Sequence, residues 1–199
     1  SGGIIRDKKG KSYFDMTAGV AVNNIGHCHP KVISAIQNQL QKHLHVMVYG
    51  EYIQDAQLAL SRELTKILPA NLNCVYPVNS GAEANEAAIK LVKRTTKRHN
   101  IIAFKGGYHG STIGALSVSG NENKKRAFRP LMPGVETIRL NNMDDLVYIS
   151  KQTAGVILET IQGDAGVQVP SKQYILALRK RCTEVGAMLI FDEIQCGNG

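Results

Sequence analysis

The feature that most constrains the fold is a rhythm that sets in after residue 70. Short apolar runs, "CVYPV" (74–78), "NIIAFK" (100–105), "AGVILE" (154–159) and "AMLIFDE" (187–193), are interspersed with helical stretches, "GAEANEAAIKLVKR" (81–94) and "SKQYILALRKRCTEVG" (171–186). The runs lack the polar alternation of a strand with one wet face, so they read as strands buried on both sides. That pattern predicts an α/β fold with a mainly parallel sheet covered by helices on both faces. Ligands of such sheets bind beyond the carboxyl ends of the strands, where connections diverge, so the residues that follow each run carry the functional information.

Residues 1–68 are read as a separate N-terminal part leading into a sheet domain over 69–199. Within it, "IIRDKKGKSYFDM" predicts two strands around a Lys-Gly turn. "HPKVISAIQNQLQKHL" (29–44) sets Ile33, Ile36, Leu40 and Leu44 on one helical face, with Pro30 suited to the first turn. "QDAQLALSRELTKIL" (54–68) sets Leu60, Leu64, Ile67 and Leu68 at helical spacing and is stopped by Pro69. "SGNENKKRAFRPLMPG" (119–134) reads as one long loop-like insertion.

Composition narrows the function classes. The 199 residues are 43% hydrophobic, enough for one sizeable core, and no run approaches the length of a membrane helix, so a cytoplasmic protein is expected. The net charge of +8 is dispersed over "DKKGK", "KRTTKR", "NKKR" and "RKR" without interleaved aromatics, which speaks against a nucleic-acid surface. Cys28, Cys74, Cys182 and Cys196 form no CxxC pair, and "HCHP" (27–30) stands without a second ligand cluster, so neither a disulfide framework nor a metal site is expected.

Four loops follow the strands. In "NSGAEANEAAIK", Ser80 and Glu83 form a capping box, Ala84, Ala87, Ala88 and Leu91 an apolar stripe, and the helix start with Gly81 and Ala82 offers a site for an anion such as phosphate, although taken alone the loop is as well explained by a helix that is simply well capped. "FKGGYHGST" presents Tyr108 and His109 at a strand's carboxyl edge, after two glycines that allow close backbone approach. "VILETIQGDAG" delivers Glu159, and "LIFDEIQ" delivers Asp192, each at the end of a buried strand.

In this order and spacing, "GHCHP", "NSGAEANEAAIK", "GGYHGST", "ETIQG" and "DEIQCGNG" resemble the class III (omega) pyridoxal-phosphate-dependent aminotransferase family, over nearly the whole chain. The resemblance implies the fold-type I large domain and pyridoxal 5'-phosphate as cofactor. It implies that Ser80, Gly81 and Ala82 hold the phosphate, that Tyr108 stacks on the pyridine ring with His109 beside it, and that Ile194 packs on the opposite ring face. Asp192 would bind the ring nitrogen, Gln195 would reach toward the phenolic oxygen, and Glu159 would be a pocket carboxylate near the substrate. An ionised Asp192 favours a protonated ring nitrogen by a charge-assisted hydrogen bond of roughly 1.5–3 kcal/mol.

The implied reaction moves an amino group from an amino acid or omega-amine to a 2-oxo acid, in a homodimer with shared active sites. The family's Schiff-base lysine lies beyond "DEIQ", and neither Lys90 nor Lys105 matches it, so the chain is expected to be the N-terminal part of a longer enzyme and nearly inactive alone. Ser111 stands where many relatives carry a carboxylate-binding arginine, which leaves the amino donor open. The alternatives are another reaction of the same cofactor (racemase, mutase or decarboxylase) and a nonenzymatic phosphate-binding module.

Overall fold

The computed structural model describes residues 2–47 and 51–197. They group into two units, Ser1–Pro77 and Val78–Asn198.

In the first unit, β1 (Ile4–Arg6) pairs antiparallel with β2 (Ser12–Phe14). The turn between them closes because Asp7 Oδ1 accepts the N–H groups of Lys9 at 2.9 Å and Lys11 at 3.0 Å. A four-residue helical turn α1 (Ala18–Ala21) follows, with Gly19 and Val20 at positive φ, and then α2 (Pro30–Leu40) and α3 (Asp55–Ile67). Pro30 occupies the first turn of α2 as predicted, but the helix stops at Leu40, four residues short of the predicted end. No described residue of this unit is buried, and the apolar face predicted for α2 lies open, with Ile33, Ile36 and Leu40 at 41, 52 and 55% exposure.

The second unit runs α4 (Gly81–Thr96), β3 (Asn100–Phe104), α5 (Ile113–Val118), α6 (Glu122–Lys125), β4 (Val135–Ile138), β5 (Thr153–Glu159), α7 (Lys172–Val185) and β6 (Met188–Asp192), with 3₁₀ turns at Arg126–Phe128 and Asp144–Tyr148. The four strands form one parallel sheet in the order β4-β3-β5-β6. Alternate strand residues serve two cores. Ile102, Phe104, Val156 and Leu158 pack with Tyr174, Leu178 and Cys182 of α7, while Ile101, Ala103 and Ile157 pack with Ile89 and Val92 of α4. Gly155 lets α4 come close, since a Cβ there would lie 2.9 Å from Val92 Cγ2.

Three sequence expectations need correction. "CVYPV" forms no strand, and Tyr76 is 76% exposed: an apolar run supplies side chains for a sheet, but a strand also needs a ladder partner, and none pairs with it among the described residues. The insertion 119–134 is not all loop, because it contains α6 and the 3₁₀ turn after it. A strand was missed at β4, where an edge position and only four residues with polar Glu136 and Thr137 leave little apolar signal.

The chain runs from β3 to β4 on one side of the sheet, then crosses to β5 on the other. The carboxyl ends of β3 and β5 therefore flank a topological switch point, the place where such sheets form a crevice.

Candidate functional site

The site is assembled from the loop after β3, the ends of β5 and β6, and the start of α4. Ser80 caps α4, its Oγ accepting the Glu83 N–H at 3.2 Å. The reciprocal arm of the predicted capping box reaches one residue further, since Glu83 Oε2 accepts the N–H of Asn79 at 2.7 Å. Gly81 and Ala82 occupy the first helical turn, where N–H groups have no intrahelical acceptor and point to the positive end of the helix dipole.

Two close approaches shape this helix end. A Cβ on Gly81 would come within 2.9 Å of the Ile194 side chain, so the missing side chain is what lets Ile194 sit against the turn. Gly110 has φ +123°, and a Cβ there would lie 2.8 Å from Ala82 Cβ, so only glycine suits the loop that packs on α4.

The stripe predicted for α4 is rotated from the one observed. Asn85, Ile89 and Val92 form the buried face, whereas Leu91 is 58% exposed. Asn85 carries no apolar signal of its own, but a polar residue at i of an i, i+4, i+7 apolar stripe needs a buried partner, and that is the signal the sequence offers. Its Nδ2 donates to Asp192 Oδ2 and to the His109 carbonyl, both at 2.8 Å.

Asp192, at the end of β6, is buried. Oδ2 receives Asn85 and also His109 Nδ1 at 2.8 Å, while Oδ1 receives the Ile194 N–H at 3.1 Å. Burial opposes the charge most strongly, but the hydrogen bonds from His109, Asn85 and the Ile194 backbone together outweigh it and hold the carboxyl below its usual range. Because the ionised acid accepts, Nδ1 is the donating nitrogen of His109. The His109 peptide N–H donates to Ser119 Oγ at 3.0 Å, and Nε2 is buried with no hydrogen-bond partner.

Glu159, at the end of β5, behaves in the opposite way: burial pushes its carboxyl up, more than the Tyr108 N–H at 2.8 Å and the Gly163 N–H at 3.4 Å pull it down. It ties the Tyr108 loop to β5. The expected aromatic pair is split, since His109 is buried whereas Tyr108 is 43% exposed, its OH 3.4 Å from Ser111 Oγ. Lys124, not foreseen from the sequence, holds its ammonium 5.0 Å from the Tyr108 ring centre and 2.7 Å from Asp164 Oδ2. A cavity of ≈ 430 Å³ borders Tyr108, Ser111, Phe128 and Lys124, but none of Gly81, Glu159, Asp192 or Ile194 lines it, so it is distinct from the carboxylate site.

Gln195 lies against Gly163, whose missing Cβ would overlap its carboxamide. Lys90 and Lys105 are exposed. In the first unit, His27 Nε2 pairs with Asp15 Oδ2 at 2.7 Å, and no group of His, Cys, Asp or Glu suited to a metal occurs among the described residues. Nor is any helix among them long and apolar enough to cross a membrane.

A parallel sheet whose strand ends meet a capped helix start and a buried acid places the chain among α/β proteins with a crevice at the carboxyl ends of their strands. The chain matches the family described as Aminotransferase class-III over residues 1–199. It is 39% identical over 199 residues to the acetylornithine aminotransferase of Methanopyrus kandleri, covering 100% of this chain and 51% of that protein. Its fold superimposes with a TM-score of 0.91 on the adenosylmethionine-8-amino-7-oxononanoate aminotransferase of Methanocaldococcus jannaschii, at 32% identity over 100% of this chain and 49% of that one. It superimposes at 0.88 on the taurine:2-oxoglutarate aminotransferase of Bifidobacterium kashiwanohense in complex with PLP and glutamate, at 26% identity over 99% and 50% of the two chains. The chain belongs to the class-III aminotransferase family. It spans about half the length of the curated relatives it matches.

Proposed function

We propose that the protein carrying this chain is a pyridoxal-phosphate-dependent aminotransferase that moves an amino group from an amino acid or omega-amine to a 2-oxo acid. The observation that carries this reading is Asp192, a buried carboxylate held in its charged form by three donors. Oδ1 accepts the Ile194 N–H at 3.1 Å, and a carboxylate oxygen can accept more than one donor. A protonated pyridine nitrogen fits this acid in charge and in donor character, and the first-turn N–H groups of α4 fit a phosphate.

Pyridoxal phosphate, when bound, supplies an electron-withdrawing ring that draws charge from the substrate carbon bearing the amine. Ser80, Gly81 and Ala82 hold its phosphate, and Asp192 keeps a proton on its ring nitrogen. Tyr108 offers a half-exposed ring for stacking, His109 steadies Asp192 from the side, and Ile194 presents an apolar face next to Gly81. Gln195 serves the phenolic oxygen. Glu159 orients the Tyr108 loop, and its raised affinity for a proton suits a carboxyl group beside an incoming substrate.

The relatives' names make acetylornithine the donor to assay first. The reading includes a cytoplasmic homodimer, which size-exclusion chromatography with light scattering checks for its oligomeric part. Titration of the full-length protein with pyridoxal phosphate, followed by visible absorption, tests the core of it: saturable binding is expected, weakened about 10- to 100-fold by Asp192→Asn through loss of a charged hydrogen bond. Unchanged affinity in that variant refutes the role of Asp192, and absence of binding by the wild type refutes the reading.

A further inference from the structure

We propose that Asn85 is a positioning residue that sets the distance and orientation between the helix end and the carboxylate of this site. The inference rests on the proposed cofactor reading for its function, though its geometry stands without it. Asn85 is buried on α4, in the second turn after the cap, and its one amide nitrogen serves two elements that are remote in sequence. One hydrogen goes to the His109 carbonyl and the other to Asp192 Oδ2, each at 2.8 Å. Because both neighbours are acceptors, the orientation of the amide is determined.

The consequence is a rigid triangle. The His109 peptide is gripped at both ends, by Ser119 Oγ on its N–H and by Asn85 on its carbonyl, while its ring grips Asp192. Asn85 then ties this pair back to α4. A helix advances about 1.5 Å per residue, so Asn85 stands roughly 6 Å along the axis from Gly81. A molecule with a phosphate at one end and a ring nitrogen at the other must span from the helix end to Asp192, and Asn85 is the bolt that holds that span. Aspartate is of nearly equal size but donates nothing and adds a second carboxylate, and alanine leaves two buried acceptors each a donor short.

The titratable groups that bear on Asp192 are His109 on the loop after β3 and Glu159 at the end of β5. Against that background the loss of an uncharged donor has a defined sign. With fewer donors the carboxylate becomes more basic, so its titration moves up in pH.

The test uses the full-length protein as wild type, Asn85→Ala and Asn85→Ser, with carboxyl ¹³C NMR titration of Asp192 in the cofactor-free form and pyridoxal phosphate affinity at neutral pH. Expected in Asn85→Ala are a midpoint raised by about one pH unit, tenfold in proton affinity, and a cofactor affinity reduced tenfold or more. Asn85→Ser, with one hydroxyl donor, falls between. A lowered melting temperature with midpoint and affinity at wild-type values overturns the proposal, because a residue that only supports the fold gives that result. If the wild type itself takes up no cofactor, the cofactor reading fails, and the Asp192 midpoint alone decides whether Asn85 positions the acid.

Discussion

Helices α2 and α4 read alike in sequence and end differently in structure. Both carry apolar residues at helical spacing, yet α2 leaves Ile36 at 52% exposure and Leu40 at 55%, whereas α4 buries Ile89 and Val92 to 2% each. The same contrast holds for the two units: among the described residues, the buried ones lie in the second unit and none in the first. Spacing marks the face of a helix that gains from burial, at about 25 cal/mol per Å² of apolar surface, but only a partner realises the gain. In the second unit the partner is a parallel sheet whose two faces receive α4 and α7.

The contrast can be broken by mutation. The largest effect is expected from Phe104→Ala, which empties a fully buried position on β3 and costs about 3–5 kcal/mol in urea unfolding of the second unit. Next comes Gly155→Ala, whose Cβ would press on Val92 at 2.9 Å, with a cost of about 1–3 kcal/mol by the same measurement. Ser80→Ala removes the side-chain cap of α4 and costs about 1 kcal/mol.

Acid sharpens the comparison, because each unit holds a depressed carboxylate. The Arg139 guanidinium and backbone N–H lower Asp145 to about 2, and the Ala18 N–H and His27 lower Asp15. Such groups contribute stability above the ordinary carboxylate range and lose it as pH falls through the folded value. Stability linked to Asp145 is thus expected to drain away between the usual 3.8 and about 2, and Asp145→Asn flattens circular-dichroism acid titrations across that window. The smallest effect is expected from Ile36→Ala, below about 0.5 kcal/mol because the residue is already exposed. A cost near that of Phe104→Ala would show that the open face of α2 is covered in solution, and the contrast between the units would fall.

Much of the candidate site was legible because its residues follow apolar runs. Glu159 and Asp192 end β5 and β6, Tyr108 and His109 follow β3, and Ser80 caps α4, all as the pattern of short runs and turn residues predicts. Asn85 and Lys124 were not legible, since each owes its place to a partner distant in the chain. Asn85 meets Asp192 across 107 residues, and Lys124 meets Asp164 across 40. The split of Tyr108 from His109 is of the same kind, because two adjacent side chains point to different environments once the loop is pinned to Glu159 and Ser119.

By itself the sequence determined the α/β class, the helix cap and the strand-end acids, because these depend on local spacing and on residue types that one segment carries alone; the resemblance to the family rested on five motifs taken together along the chain. Only the tertiary structure decided that "CVYPV" has no ladder, that β4 joins the sheet at its edge, and that Asn85 rather than Leu91 faces inward. It also decided that Asp192 and Glu159 are driven in opposite directions. The reason is the same in each case: pairing, burial and the balance between desolvation and donated hydrogen bonds are properties of neighbours, and neighbours exist only after the chain has folded.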